Sequence, residues 1–234
     1  MSAVAAVPVE EPGAEDLLRE MLAEYRGRIA LVSSFGAESA VVLHMVSEID
    51  KTVPVIFLDT GKLFAETLRY RDLLVQRLGL RDLRTARPEP ARIAQVDPSG
   101  ALWRNDPDVC CWQRKVEPLD AALEGFAAWI TGRKRYQGGV RRNLPLVESG
   151  SDGRTKINPL AGWSASDIAR YFAEHDLPRH PLAARGYSSI GCTSCTRATG
   201  PGEEARAGRW DGFEKNECGI HLPRFAPVRG ELRP

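Results

Sequence analysis

The chain has 234 residues, with 32 Lys and Arg against 31 Asp and Glu. So even a balance provides no global field to draw nucleic acid or an anionic membrane surface, and any anion site has to be local. With 43% hydrophobic and 27% charged residues, the composition is that of an ordinary globular protein with one main domain, neither disordered nor membrane-spanning.

Residues 1–14 read as a flexible tail: a short apolar run without a basic n-region or a continuous apolar h-region, which points to a cytoplasmic protein. Leu17, Leu18, Met21, Leu22 and Tyr25 then recur at helical spacing, with Gly27 as a stop. Ile29 to Val32 is a short strand that ends in the polar loop Ser33-Ser34-Phe35-Gly36-Ala37-Glu38-Ser39, after which Val41 to Ile49 resumes a helical period. Val53 to Leu58 reads as a buried strand stopped by Asp59-Thr60-Gly61, and a helix over about Phe64 to Leu78 follows, closed by Gly79. Two strands joined by a crossover helix form a parallel pair.

Further strands are expected at Leu80 to Ala86, Ala127 to Thr131 and Leu144 to Glu148. Between the first two lies a less regular stretch in which Arg114, Lys115 and Val116 suggest helix, with Pro118 close to its boundary. Ser164, with Asp167 three residues on, opens a capped helix that runs to about Glu174. From His175 onward the chain is rich in Gly, Pro and Arg without periodicity. The expectation is an α/β fold with a doubly wound, mostly parallel sheet over 15–180, followed by a loop-rich C-terminal segment over 181–234. Ligands of such sheets bind at the carboxyl ends of the strands.

The chemistry-bearing residues gather at those ends. Ser33, Ser34 and Gly36 sit in a strand-to-helix loop where backbone N–H groups and a helix dipole can hold a phosphate, and Asp59 and Gly61 end the next strand on the same side. Thr131-Gly132-Arg133-Lys134-Arg135 with Arg141 and Arg142 puts five cations within twelve positions after another strand. Guanidinium forks suit phosphate or sulfate, although a solvated basic loop has the same composition. Arg206 and Arg209, three apart, can face one ligand if helical.

Five cysteines divide into Cys110-Cys111, Cys192-x-x-Cys195 and Cys218 alone. Vicinal cysteines are poor disulfide partners, and in the cytosol paired thiols point to metal or redox chemistry. Four soft donors suit zinc or an iron-sulfur cluster. Two neighbouring thiolates are cramped on one zinc, whereas a cubane spreads its ligand sites over several irons, so the spacing favours a [4Fe-4S] cluster. Cys218 has flexible flanks and few apolar neighbours, which argues for exposure. A nearby His or Arg can lower its pKa toward the thiolate, and His221 is three residues away.

Taken together, Ser-Ser-Phe-Gly-Ala-Glu-Ser, Leu58-Asp-Thr-Gly, Cys110-Cys-Trp-Gln-Arg-Lys-Val-Glu-Pro-Leu, Gly191-Cys-Thr-Ser-Cys-Thr-Arg, Arg206-x-x-Arg209 and Glu217-Cys-Gly-Ile-His, in this order, resemble the assimilatory adenylyl-sulfate (APS) reductases, the iron-sulfur branch of the phosphoadenylyl-sulfate (PAPS) reductase family. The resemblance runs over about 28–222 and implies an adenine nucleotide alpha hydrolase-like fold and the reduction of adenylyl sulfate to sulfite and AMP. It implies thioredoxin, or a glutaredoxin-like protein, as reductant, and leaves a homo-oligomer open. Cys110, Cys111, Cys192 and Cys195 would ligate the cluster. Cys218 would be the nucleophile, on a mobile tail, with His221 as a further catalytic residue and Lys115 between cluster and substrate sulfate. Ser33, Ser34, Gly36, Asp59 and Gly61 would line the nucleotide cleft, and Arg133, Arg206 and Arg209 would bind phosphate and sulfate.

One stretch departs from the family pattern: the arginine loop continues Arg135-Tyr136-Gln137-Gly138-Gly139-Val140-Arg141 where an acidic residue, Gln and Ser are usual. This bears on the choice between APS and PAPS. The rivals are a cluster-bearing ATP-pyrophosphatase-type adenylating or thiolating enzyme, whose usual loop is Ser-Gly-Gly-x-Asp-Ser, and a zinc-stapled nucleotide-binding module with Cys218 idle.

Overall fold

The computed structural model describes residues 11–222. Helix α1 (Ala14–Glu24) precedes strand β1 (Ile29–Ser33), α2 (Ser39–Ile49), β2 (Val55–Leu58), α3 (Ala65–Leu78) and β3 (Leu83–Ala86). Gly79 closes α3 in the left-handed region at φ 65°, and the Leu80 N–H returns to the Val75 carbonyl. That cap holds residues 79–80 out of the ladder and starts β3 three residues later than the apolar run suggests.

Four short helices follow, where the sequence shows only an irregular stretch: α4 (Pro90–Val96), α5 (Leu102–Asn105), α6 (Pro107–Cys111) and α7 (Glu117–Ala122). A π-helical turn, Trp112–Val116, joins α6 to α7. Pro118 is the second residue of α7, close to a boundary as expected, and the boundary is with the π-helical turn, whose widened geometry leaves room for the proline ring within a continuous helical run. The chain then forms β4 (Ala128–Ile130), β5 (Val147–Ser149), β6 (Thr155–Ile157) and α8 (Ala165–Glu174). Ser164 and Asp167 cap α8 reciprocally, as the sequence predicts.

The sheet order is β3-β2-β1-β4-β6-β5, parallel throughout except for the β5 edge, which is antiparallel to β6. Central strands are buried on both faces, and alternation divides them between two cores. Ile29, Leu31, Val55, Phe57, Ala128 and Ile130 pack with α1, α2, α3 and α8, whereas Ala30, Val32, Ile56, Leu58 and Trp129 pack with Leu119 and Leu123 on the α7 side.

From residue 175 onward only 3-10 turns and isolated bridges occur among the described residues. This segment is nevertheless tied down. Cys192 bridges to Leu63, Thr193 N–H donates to the Lys62 carbonyl, and Trp210 N–H donates to the Cys195 carbonyl. At the other end, the expected tail over 1–14 is already engaged by Glu11, which pairs with Arg135; residues 1–10 lie outside the described part, as do 223–234 of the C-terminal segment.

Candidate active site

A cleft of about 180 Å³ opens at the carboxyl ends of β1, β2 and β4. Of the sequence-predicted residues it gathers Ser33, Ser34, Gly36, Lys115, Arg133, Arg206, Arg209, Cys218 and His221 into one lining. Asp59 and Gly61 are not part of it. Asp59 accepts from the Gly61 N–H and pairs with Arg87 on the outside, while Thr60 between them turns inward. The carboxylate closes its own Asx turn, which directs it away from the cleft, half-buried under Arg87, and buries the hydroxyl.

At the β1 end, Phe35 takes a left-handed φ of 48°. The Phe35 N–H donates to Ser33 Oγ and the Gly36 N–H to Ser39 Oγ. The loop thus presents serine hydroxyls, whose own hydrogens are free to turn toward a ligand, where bare amides were expected. Glu38 fastens this loop to the basic one, accepting from Lys134 Nζ at 2.9 Å, from Gln137 and from Tyr136.

The basic loop divides by partner. Arg133 is buried and held by Glu148 and Asn158, and burial lowers its pKa. Arg141, which the sequence reading does not assign to the site, also lines the cleft and grips Glu217 with Nε at 2.5 Å and Nη2 at 2.8 Å. Arg206 and Arg209 lie on a turn, not a helix, and meet over the Trp210 ring, their guanidinium carbons 5.6 and 4.5 Å from its centroid. Burial, then the neighbouring Arg141, bring Arg206 down to about 10.

The thiols come together from three parts of the chain. Cys110 and Cys111 end α6, and Cys192 and Cys195 flank a tight turn, with Thr60 Oγ1 3.2 Å from Cys192 Sγ. None is in a disulfide. Burial, followed by the nearby Cys192 sulfur, pushes the Cys110 thiol up to about 11. Arg114 approaches from the same turn, bonded to Asp97 and the Thr60 carbonyl. Among the described residues no three His, Cys, Asp or Glu side chains converge closely enough to hold a single ion. Cys110 senses the charge of Cys192 and Cys195, and four soft thiols are the donor set that zinc or an iron-sulfur cluster takes.

Cys218 is buried, at 8% exposure, against Cys111 and Trp210. The expectation of an exposed thiol is therefore corrected: Cys111 from a distant part of the chain joins Trp210 and the flanking Ile220 to cover it. A hydrogen bond from Cys111 is the largest cause holding its pKa well below the ordinary value; burial opposes this, and the Lys115 ammonium supports it. Burial would discharge Lys115, but the Cys192, Cys218 and Cys111 sulfurs outweigh it and raise its pKa. His221 stacks on Trp129 at 5.8 Å, and its buried Nδ1 lacks a protein partner. Burial, then Arg133 and Arg141, keep the imidazole neutral.

Fold and site together define a parallel α/β nucleotide-binding protein whose cleft sets a thiol among cations. Residues 28–198 match the phosphoadenosine phosphosulfate reductase domain, and the chain belongs to that family. It is 54% identical to an adenosine 5'-phosphosulfate reductase of Mesorhizobium japonicum, over 85% of this chain and 78% of that one. It is 41% identical to a phosphoadenosine 5'-phosphosulfate reductase of Alkalilimnicola ehrlichii, over 89% and 86%. A phosphoadenylyl-sulfate reductase structure from Candida auris superposes with a TM-score of 0.69 at 28% identity, covering 80% of this chain and 91% of the other.

Proposed function

We propose that the protein reduces adenylyl sulfate to sulfite and AMP, with Cys218 as nucleophile and thioredoxin as the source of electrons. The observation that carries this reading is the position of the Cys218 thiol in a cleft lined by Lys115, Arg206 and Arg209. The thiolate attacks the substrate sulfur, the S–O bond to the AMP phosphate breaks, and AMP leaves with the bonding pair, so Cys218 becomes S-sulfocysteine. Attack of an anion on an anion is opposed by Coulomb repulsion, which Lys115 and the arginines offset in a site closed to water. Neutral His221, with Nδ1 free of protein partners, can donate or accept one hydrogen bond to the nucleotide. A thiolate of thioredoxin, or of a glutaredoxin-like protein, then attacks Cys218 Sγ and expels sulfite. Its second thiol breaks the mixed disulfide and returns Cys218 to the thiolate.

Cys110, Cys111, Cys192 and Cys195 are the residues that would hold a [4Fe-4S] cluster, which would supply structure and a local field when bound. Lys115 lies near enough to the Cys192, Cys218 and Cys111 sulfurs for their charges to raise its pKa, which supports a place between the cluster and the substrate sulfate. Paired free thiols fit the reducing cytoplasm; among the described residues no helix is long and apolar enough to cross a membrane.

Anaerobically purified protein mixed with adenylyl sulfate and no reductant should gain one sulfonate on the peptide that carries Cys218. Cys218→Ser should gain none and should release no sulfite. Full turnover by the serine variant would refute the proposal. A preference for the 3'-phosphorylated nucleotide is the second reading, favoured by the Alkalilimnicola relative, and sulfite release from each nucleotide separates the two.

A further inference from the structure

Glu217 is the charge least expected in a cleft for anions. Its carboxylate is 1% exposed. Oε2 accepts from Arg141 Nε, and Oε1 accepts from Arg141 Nη2, from Arg206 Nη2 at 3.3 Å and from the Cys218 N–H at 2.9 Å. Arg141 Nη1 is taken up by Gln137, so all three nitrogens of that guanidinium are engaged within the protein. Arg206 also donates to the Asn216 carbonyl at 3.1 Å. Two guanidiniums from separate loops therefore grip two successive residues, 216 and 217, and the carboxylate they hold in turn takes the amide of Cys218, which carries the thiol.

We infer that Arg141, Glu217 and Arg206 form a clasp that docks the Cys218 segment in the cleft, and that Arg141 is a positioning residue acting through Glu217 and not a ligand of the substrate. A carboxylate buried without partners would be expelled or protonated, so the segment stays docked only while both guanidiniums face it. In the docked state Cys218 is too buried for a second protein's thiol to reach. Release of the clasp is thus the event that exposes the sulfur to a reductant. The kinetic consequence rests on the proposed role of Cys218 as nucleophile; the clasp itself does not.

The test uses the full, iron-loaded chain, treated anaerobically with limiting iodoacetamide, with alkylation at position 218 followed by peptide mass spectrometry. E217Q should raise the alkylation rate on the order of a hundredfold, the effect of removing one partner of a buried ion pair. It should slow single-turnover sulfonation and leave the dissociation constant for AMP within about threefold of the parent, a change in kcat without one in binding. R141Q should behave alike, and the exchanged pair R141E/E217R should return alkylation toward the slow parent rate. If E217Q fails to fold, R141K, which keeps the charge but loses the fork, provides the same comparison with a smaller rise. Alkylation that stays slow in E217Q or R141K, or an AMP affinity that collapses while alkylation is unchanged, would overturn the clasp. If the parent protein forms no sulfonate adduct at all, the proposed function fails while the alkylation series still decides the clasp.

Discussion

Gly191 precedes the first cysteine of the Cys192-x-x-Cys195 turn, and Arg209 lies directly against it. A Cβ placed on Gly191 would stand 2.6 Å from the Arg209 Cζ and 2.9 Å from Nη1, and closer still to Nη2. Ordinary contact requires roughly 3.5–4.0 Å, so Gly191→Ala must push the guanidinium back by about 1 Å. Gly191 does not have a positive φ, so the substitution adds no backbone strain, and the group that moves is the far end of a flexible side chain. The fold should therefore lose less than about 1 kcal/mol. The site should lose more. Arg209 would leave its place 4.5 Å over Trp210 and its 3.3 Å bond to the Cys195 carbonyl, and a misplacement of that size can cost about a hundredfold. Steady-state kinetics with adenylyl sulfate should show kcat/KM down by about tenfold to a hundredfold, with the melting temperature nearly unchanged. Because the effect runs through one side chain, Gly191→Ala made on top of Arg209→Ala should add little. Full activity in the single variant, or an equal loss in both backgrounds, would refute the reasoning.

Lys115→Met should leave iron content intact but slow formation of the Cys218 adduct by about a hundredfold, as loss of one preorganised charge does elsewhere; an unchanged single-turnover rate would count against a role at the substrate sulfur. Asp97→Asn leaves the buried Arg114 without its carboxylate beside Cys110, so unfolding free energy measured in denaturant should fall by about 3 kcal/mol. Burial depresses His180 from 6.5 to about 4. Its unfolded form therefore takes up a proton before its folded form does, and stability is lost as pH falls from 6.5 toward 4. Thermal melts across that window should show the decline, and His180→Gln should flatten it.

The strands that carry the cleft are legible because β1, β2 and β4 are buried on both faces and read as apolar runs. β6 is not, since Thr155-Lys156-Ile157 has one fully buried residue and takes its place from pairing with β4. The four paired cysteines are legible by spacing alone, and so is the Ser33 loop. Thr60 is hidden between two more conspicuous neighbours, whose Asx turn decides which side chain points inward. Arg141 is visible only as one cation among five, because its partner Glu217 stands 76 residues away. The burial of Cys218 is hidden in part for the same reason: Cys111 and Arg141 are distant in sequence, and although Glu217, Trp210 and Ile220 stand nearby, composition alone does not show that they fold over the thiol.

The charges of the cleft explain why so basic a lining does not repel itself. Lys115, Arg133, Lys134, Arg141, Arg206 and Arg209 face it. Lys134 is matched by Glu38, Arg133 by Glu148 and Arg141 by Glu217. The one carboxylate oxygen that Arg206 reaches among the described residues is the Glu217 oxygen that Arg141 already holds, so Lys115, Arg206 and Arg209 are without a carboxylate of their own there. Adenylyl sulfate has one negative charge on phosphate and one on sulfate, and the Cys218 thiolate adds a third. The proposed attack would move these charges without changing their sum, because AMP would leave as a dianion while the sulfur acquired a singly charged sulfonate. A 3'-phosphate would bring nearly two further negative charges into a lining whose described cations are already matched. At an effective dielectric of about 20, each unmatched contact at 4 Å costs about 4 kcal/mol before solvent intervenes. The balance of the cleft therefore favours the nucleotide without that group, and sulfite release should be faster from adenylyl sulfate than from its 3'-phosphorylated form; the reverse order would show that cations outside this lining enter the site.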